Sequence, residues 1–144
     1  MFAHIALSFV GIAAFGTAAA AGCMYLLERR ELKSRRFGAI YRFFPPLATL
    51  DRVNHVAAIA GWLGLTLGVV LAVTYSVAYR ELSIPKVIWA MGAWLAVSGI
   101  ALGRILGGWQ ARRAAIYSSV SFAAVIALYV AFRVAETNGG GRFL

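Results

Sequence analysis

The sequence has few of the residues that usually carry chemistry. It contains one cysteine, Cys23, which excludes an intramolecular disulfide and a CxxC metal or redox pair. It contains two histidines, His4 and His55, too few for a multi-histidine metal site. Only 13% of its residues are charged, whereas an ordinary soluble domain has about 25%. Because no nucleophile–base pair, paired carboxylates or metal-ligand cluster is evident, we do not expect an enzyme.

Apolar residues dominate instead and make up 62% of the 144 residues. They form long continuous runs rather than the alternating pattern of a membrane β-barrel, and a membrane-spanning helix needs about 20 of them. The sequence therefore predicts an all-α polytopic membrane protein, a single domain of four transmembrane helices in a bundle. The spans are expected at about 3–27, 53–77, 87–106 and 114–132, with a basic loop at 28–52 and a mobile Gly-rich tail at 133–144.

The basic residues predict an orientation in the membrane. Ten of the fourteen Lys and Arg residues lie in or beside the loops that follow the first and third spans. The positive-inside rule places these loops in the cytoplasm of a bacterium, so that both termini and the polar break at Tyr79–Lys86 lie outside the inner membrane. The same rule explains most of the net charge of +9 without a nucleic-acid partner.

The first span has a competing interpretation as a cleaved signal sequence, because small residues precede Cys23 in TAAAAGCMY. Signal sequences begin with positive charge, whereas the preceding MFAH has none and the basic cluster follows the span. We therefore expect a retained span.

Glycines recur in the spans at the spacing of closely packed membrane helices, for example Gly64 and Gly68. We expect them to pack within one bundle, and docking of another subunit is the alternative. No ionisable residue lies near the middle of a predicted span, which argues against a proton or ion pathway.

The two histidines lie at opposite ends of their spans, so about 25–30 Å of membrane separates their levels. They cannot ligate one haem iron within one subunit. Either could hold a haem alone or with a partner's ligand, or bind a lipid headgroup or a backbone carbonyl.

Four segments, in order, resemble the C-terminal half of membrane haem-handling proteins of cytochrome c assembly, the CcsA and CcmC type and the related HemX-like proteins. They are HIALSFVGIAAFGTAAAAGCMYLLERRELK, FPPLATLDRVNHVAAIAGWLGLTLGVVLAV, PKVIWAMGAW and GRILGGWQARRAAI. The resemblance covers nearly the whole chain and is most specific at YLLERRELK, at LDRVNH with the following GW and LTLG, and at GGWQARRAA. It implies an integral membrane protein that binds haem and presents it outside for attachment to apocytochrome c.

The resemblance also implies site residues. His4 matches the first of the family's outer haem-ligating histidines, and Trp89 and Trp94 match tryptophans that follow a tryptophan-rich segment. Tyr79 lies where that segment would fall. The resemblance thus implies haem b as a cofactor, with His4 as the iron ligand and these three aromatic residues as its wall.

The sequence also departs from the family pattern. The leading tryptophans and the Asp of the tryptophan-rich segment are absent, Leu102 replaces a membrane-embedded histidine, and the tail offers no second outer histidine. His55 lies where members carry Tyr or His, which is not a ligand position. What remains allows at best a five-coordinate haem.

These departures favour the HemX-like branch. The expected function is an accessory membrane protein of cytochrome c assembly or haem delivery, without independent ligase activity and working with partner membrane proteins. The alternative is a non-catalytic structural subunit of a respiratory or photosynthetic membrane complex, or a partner of a separate chain that supplies the family's N-terminal half.

Overall fold

The computed structural model of the chain describes residues 2–34, 43–79 and 84–138. These residues form four helices and, within those ranges, no strand. The helices are α1 (Phe2–Ser34), α2 (Leu47–Tyr79), α3 (Ile84–Ile105) and α4 (Ala111–Asn138). All four are long and apolar enough to cross a membrane, which confirms the predicted all-α membrane protein.

The helices extend beyond the predicted spans. The 33 residues of α1 rise about 50 Å, more than the roughly 30 Å of a bilayer's hydrocarbon core, so its last turns carry basic residues out of the membrane. Residues 28–34 of the predicted basic segment are helical and belong to α1, and positions 35–42 lie outside the described residues. The predicted tail is helical as far as Asn138, and its remaining positions lie outside the described residues.

Local sequence signals set the helix ends on either side of the loops. α2 begins directly after Pro45-Pro46, and the Pro46 carbonyl accepts hydrogen bonds from the N–H groups of Thr49 and Leu50. α3 ends where Gly108 adopts a positive φ of 56°, a conformation that glycine tolerates best. The N–H of Trp109 then donates to the Gly103 carbonyl (3.1 Å), which satisfies one of the carbonyl groups that a helix end leaves without an intrahelical partner.

Glycines allow α1 and α2 to pack closely. A Cβ atom on Gly64 would lie 3.0 Å from the Cα of Gly11, and one on Gly68 would lie 2.6 Å from the Ser8 hydroxyl oxygen. Both glycines of the GxxxG pair therefore face α1 of the same chain. This is the internal packing that the sequence predicts.

The four helices share one core. α1 and α3 each pack against both α2 and α4, so α1 and α3 occupy opposite corners of the bundle. Phe15 is fully buried and meets Phe122 edge-on at 5.2 Å. The buried core comprises Phe15, Ala18, Ala58, Leu65, Ala93, Val97, Ile100 and Val125.

Candidate functional site

The two ends of the bundle differ in chemistry. The histidine end is formed by the start of α1, which carries His4, together with the end of α2, the start of α3 and the end of α4. The opposite end, the arginine end, carries Arg104 at the end of α3 and Asp51 at the start of α2. Polar contacts between helices lie at both ends of the bundle.

At the histidine end, His4 is half-buried and its Nδ1 lies 2.8 Å from the Gly68 carbonyl oxygen of α2. A carbonyl oxygen only accepts hydrogen bonds, so Nδ1 must carry the proton and donate it. The lone pair of this imidazole is therefore on Nε2. A histidine whose other ring nitrogen donates to a backbone carbonyl is the usual arrangement of a metal ligand.

The close approach of α1 to α2 makes this hydrogen bond possible. Ser8 lies one turn after His4, and its hydroxyl oxygen lies 3.4 Å from the same Nδ1. Since Gly68 has no side chain, Ser8 sits directly over it. The imidazole is thus held by two neighbouring helices rather than by α1 alone.

The structure does not bring Trp94 onto the same surface as His4. The Trp94 indole N–H donates to the Thr66 hydroxyl of α2 (3.0 Å). Thr66 and Gly68 are two residues apart, which corresponds to about 200° around a helix. Trp94 and His4 therefore contact nearly opposite sides of α2.

Trp89 belongs instead to a contact between α3 and α4. Its indole N–H donates to the Val125 carbonyl oxygen (3.2 Å), and its ring packs against Tyr129 at 5.6 Å. Phe15 of α1 and Phe122 of α4 are in contact and so mark one level of the bundle. From that level, at a rise of about 1.5 Å per residue, His4 of α1 lies only about 6 Å farther along the bundle than Tyr129 of α4. The Trp89–Tyr129 pair is therefore the aromatic group nearest in level to His4 among these contacts.

Sequence reasoning missed Tyr129, because only the contact with Trp89 distinguishes it from any other tyrosine of an apolar span. Tyr79 is the last residue of α2, and its side chain lies outside the described residues, as do positions 80–83. The proposed contribution of Tyr79 to an aromatic wall stays a prediction.

The second histidine lies far from this site. His55 is half-buried in α2, 13 residues before Gly68, a rise of about 20 Å. The two histidines therefore cannot share one iron within one subunit. The Nδ1 of His55 is buried and has no hydrogen-bond partner within the described part of the chain.

At the arginine end, the amide of Asn54 connects all four helices. Asn54 is only 2% exposed; its Nδ2 donates to the Ala18 carbonyl of α1 (2.6 Å) and to the Ser118 hydroxyl of α4 (2.8 Å). Its Oδ1 accepts from the Arg104 guanidinium of α3 (3.3 Å). We call Asp51, Asn54, Arg104 and Ser118 the polar hub.

An ion pair completes the polar hub. The Arg104 guanidinium donates to the Asp51 carboxylate, and the two side chains are 8% and 35% exposed, respectively. A charged residue within a membrane bundle is expected to be paired in this way. The sequence signal for the hub was the pair of polar residues, Asn54 and Ser118, inside apolar runs, but their partners come from distant parts of the chain.

Comparison with known proteins gives the family. The sequence profile described as cytochrome c assembly protein matches residues 1–137, which is most of the chain. The chain belongs to the cytochrome c assembly protein family. No curated protein and no solved structure matches it.

Membership of the cytochrome c assembly family confirms the predicted resemblance and supports a role in cytochrome c biogenesis. The family is associated with haem handling, so the histidine end can be tested against that group. It offers one suitable iron ligand, the Nε2 of His4, whose tautomer is set by the Gly68 carbonyl. His4 is thus the residue here that would hold the iron of a haem.

Proposed function

We propose that this cytochrome c assembly protein is an accessory, HemX-like membrane protein that holds or delivers haem and has no independent haem ligase activity. Haem, when bound, would supply an iron that can accept a nitrogen ligand. In this proposal Nε2 of His4 would hold the iron, and the Trp89–Tyr129 pair is an aromatic contact close to the level of His4 along the bundle.

The orientation of the His4 imidazole is the observation that supports this proposal. The hydrogen bond from Nδ1 to the Gly68 carbonyl anchors α1 to α2. Because Nδ1 is the donor, Nε2 is left as an acceptor for a metal. The close packing of Ser8 over Gly68 limits the movement of this end of α1.

The accessory role is supported by the number of ligands. His55, the second histidine of the chain, is about 20 Å away along α2. This chain would therefore supply only His4 to the iron of a haem, and any further protein ligand would come from a partner. We propose that partner membrane proteins of cytochrome c biogenesis or of a respiratory complex complete the site.

We also propose that the chain lies in the inner membrane of a bacterium with its histidine end outside. Exposed basic residues support this orientation because they concentrate at the arginine end, where Arg29, Arg30, Lys33, Arg52, Arg112 and Arg113 are all exposed. Such residues favour the cytoplasmic side.

The test is the absorption spectrum of the natively purified protein with and without His4. We expect a Soret band in the wild type, and a weakened and shifted band in His4→Ala. His55→Ala is the matched control, because it removes the other half-buried histidine and should leave the band unchanged.

A colourless wild-type protein that also fails to take up added haem would overturn haem handling. An unchanged band in His4→Ala, or equal losses in both variants, would show that His4 is not the ligand. Covalent attachment of haem to apocytochrome c by the isolated chain would contradict the accessory role.

A further inference from the structure

We propose that Trp109, Arg112 and Arg113, at the arginine end, bind the headgroup phosphate of an anionic phospholipid. This inference does not depend on haem binding. The charge balance among the described residues of this end supports it. Six basic residues are exposed. Of the three acidic residues, Asp51 is paired with Arg104, Glu28 is buried, and Glu31 is half-buried and has a partner of its own. The surface therefore presents unneutralised positive charge to whatever lies against it.

The indole of Trp109, which forms part of this surface, is held in place by contacts with two helices. Its indole folds back over the last turns of α3, where a Cβ atom on Gly103 would lie 2.6 Å from the ring. Tyr117 of α4 meets the same indole edge-on at 5.2 Å. The ring is thus held between α3 and α4 next to a tight turn formed with Gly108, and tryptophan is the residue typical of the membrane interface.

The guanidinium of Arg113 lies over the Trp109 ring. Its guanidinium carbon lies 5.9 Å from the centroid of the Trp109 ring, within the range of a cation–π contact. An arginine that stacks on an aromatic face still directs its N–H groups outward in the plane of the guanidinium. The side chain is therefore oriented before a phosphate arrives, and less conformational entropy is lost on binding.

The residues that follow match the order of groups in a phospholipid. One turn of α4 deeper than Arg112 and Arg113 lie Ile116 and Tyr117, which are 40% and 38% exposed, and a turn beyond lies Val120, 63% exposed. Each turn rises about 5.4 Å. Along α4, from its first turn into the span, basic side chains are thus followed by aromatic and then apolar ones. This is the order of the phosphate, the interfacial region and the acyl chains of a membrane lipid.

This continuity favours a lipid over a soluble anion or an acidic protein, since neither would use the exposed apolar residues inside the span. It favours an anionic lipid over a zwitterionic one because two adjacent arginines repel a choline group. Each arginine near an anionic leaflet contributes about 1 kcal/mol, or about a fivefold change in affinity.

Lipid binding to the full-length chain in detergent can be counted by native mass spectrometry. We expect phosphatidylglycerol to bind more tightly than phosphatidylcholine with the same acyl chains. Arg113→Gln should weaken phosphatidylglycerol binding about fivefold and leave phosphatidylcholine unchanged. Arg113→Lys should lose part of the affinity, because it keeps the charge but not the forked N–H donors of the guanidinium.

The matched control is Arg29→Gln, which removes an exposed arginine of the same end outside the Trp109 contact. A loss in Arg29→Gln equal to that in Arg113→Gln would overturn the site and leave only general surface charge. So would full affinity in Arg113→Lys, or displacement of the lipid by inorganic phosphate alone. Arg112→Gln is a second, independent variant, and full retention of binding in both Arg112→Gln and Arg113→Gln would exclude the site.

Discussion

At the scale of single residues, the two charged side chains of the polar hub differ in how deeply they are buried. Arg104 is almost fully buried, whereas its partner Asp51 reaches the surface. Removing one partner of a buried ion pair is costly chiefly because it leaves the other charge buried and unpaired. The two possible removals at this pair are therefore not equivalent.

We predict that Asp51→Asn destabilises the protein more than Arg104→Met does. Asp51→Asn leaves a buried guanidinium without a countercharge and should cost about 3–5 kcal/mol. Arg104→Met leaves a carboxylate that can reach water and removes the donor to the Asn54 Oδ1. It should still cost less, because a buried neutral group without a partner costs less than a buried unpaired charge. Unfolding in mixed detergent–denaturant titrations measures both.

The double variant Asp51→Asn/Arg104→Met is the control for this comparison. It should recover part of the stability lost in Asp51→Asn, because no unpaired charge remains. Equal effects of the two single changes, or a strictly additive double variant, would contradict the described burial of the pair.

At the scale of helices, backbone atoms of α1 and α2 lie so close together that a side chain on certain glycines would meet them. A Cβ on Gly11 would meet the backbone nitrogen of Leu65 at 2.8 Å, and one on Gly64 would meet the Cα of Gly11 at 3.0 Å. Backbone atoms cannot rotate away, so either substitution must separate the helices. At Gly68 the nearest atom is instead the Ser8 hydroxyl, which can turn.

We predict that Gly11→Ala and Gly64→Ala each cost about 1–3 kcal/mol, whereas Gly68→Ala costs less. Gly92→Ala is the control, since its Cβ would meet only a Leu128 methyl at 3.8 Å. It should be neutral or stabilise α3 by up to about 1 kcal/mol, the helix propensity difference between glycine and alanine.

Thermal unfolding of the four purified variants checks this order. Loss of stability in Gly92→Ala equal to that in Gly11→Ala would show that glycine content, rather than the contact of α1 with α2, determines the effect. The same contact means that larger residues at Gly64 or Gly68 would disturb the fold itself, so these changes cannot test whether the chain docks another subunit.

The helices themselves were predictable because a membrane imposes one strong requirement, an apolar run of sufficient length. Their ends were less predictable. Leu47 starts α2 six residues before the predicted span, because the end of a helix depends on capping by Pro46 rather than on apolarity. Ile105 ends α3 within one residue of prediction, where Gly108 closes the helix.

The candidate site was only partly predictable. His4 was identified through the family resemblance, but its tautomer depends on a carbonyl 64 residues away. The partners of Trp89 and Trp94 likewise lie on other helices, so the sequence did not show that α2 separates Trp94 from His4. Long-range contacts of this kind leave no local pattern.

At the scale of the whole molecule, the proposed orientation makes a labelling prediction. In a Cys23→Ser background, Thr137→Cys should react with a membrane-impermeant maleimide in intact cells, because α4 ends at the histidine end. Ser34→Cys, at the end of α1, should react only after the membrane is permeabilised. Both positions are exposed, so a difference in labelling reports sidedness.

Reactivity of Ser34→Cys from outside intact cells, with Thr137→Cys protected, would reverse the orientation and place His4 in the cytoplasm. The proposed route of haem would then have to be abandoned, while the lipid site at Arg113 would move to the other leaflet. The Cys23→Ser background alone is the control for unspecific labelling.

The hydrogen-bond partners of Asn54 become available in a fixed order during biosynthesis. Ala18 leaves the ribosome first, then Asn54, then Arg104, and Ser118 last, so the hub closes only when the fourth helix has entered the membrane. A chain interrupted after its third helix would leave one N–H of the Asn54 amide without the partner that it has in the finished bundle. The fourth helix supplies that partner through the hydrogen bond from α2 to Ser118 of α4, so we expect the hub to reach its full stability only in the complete bundle.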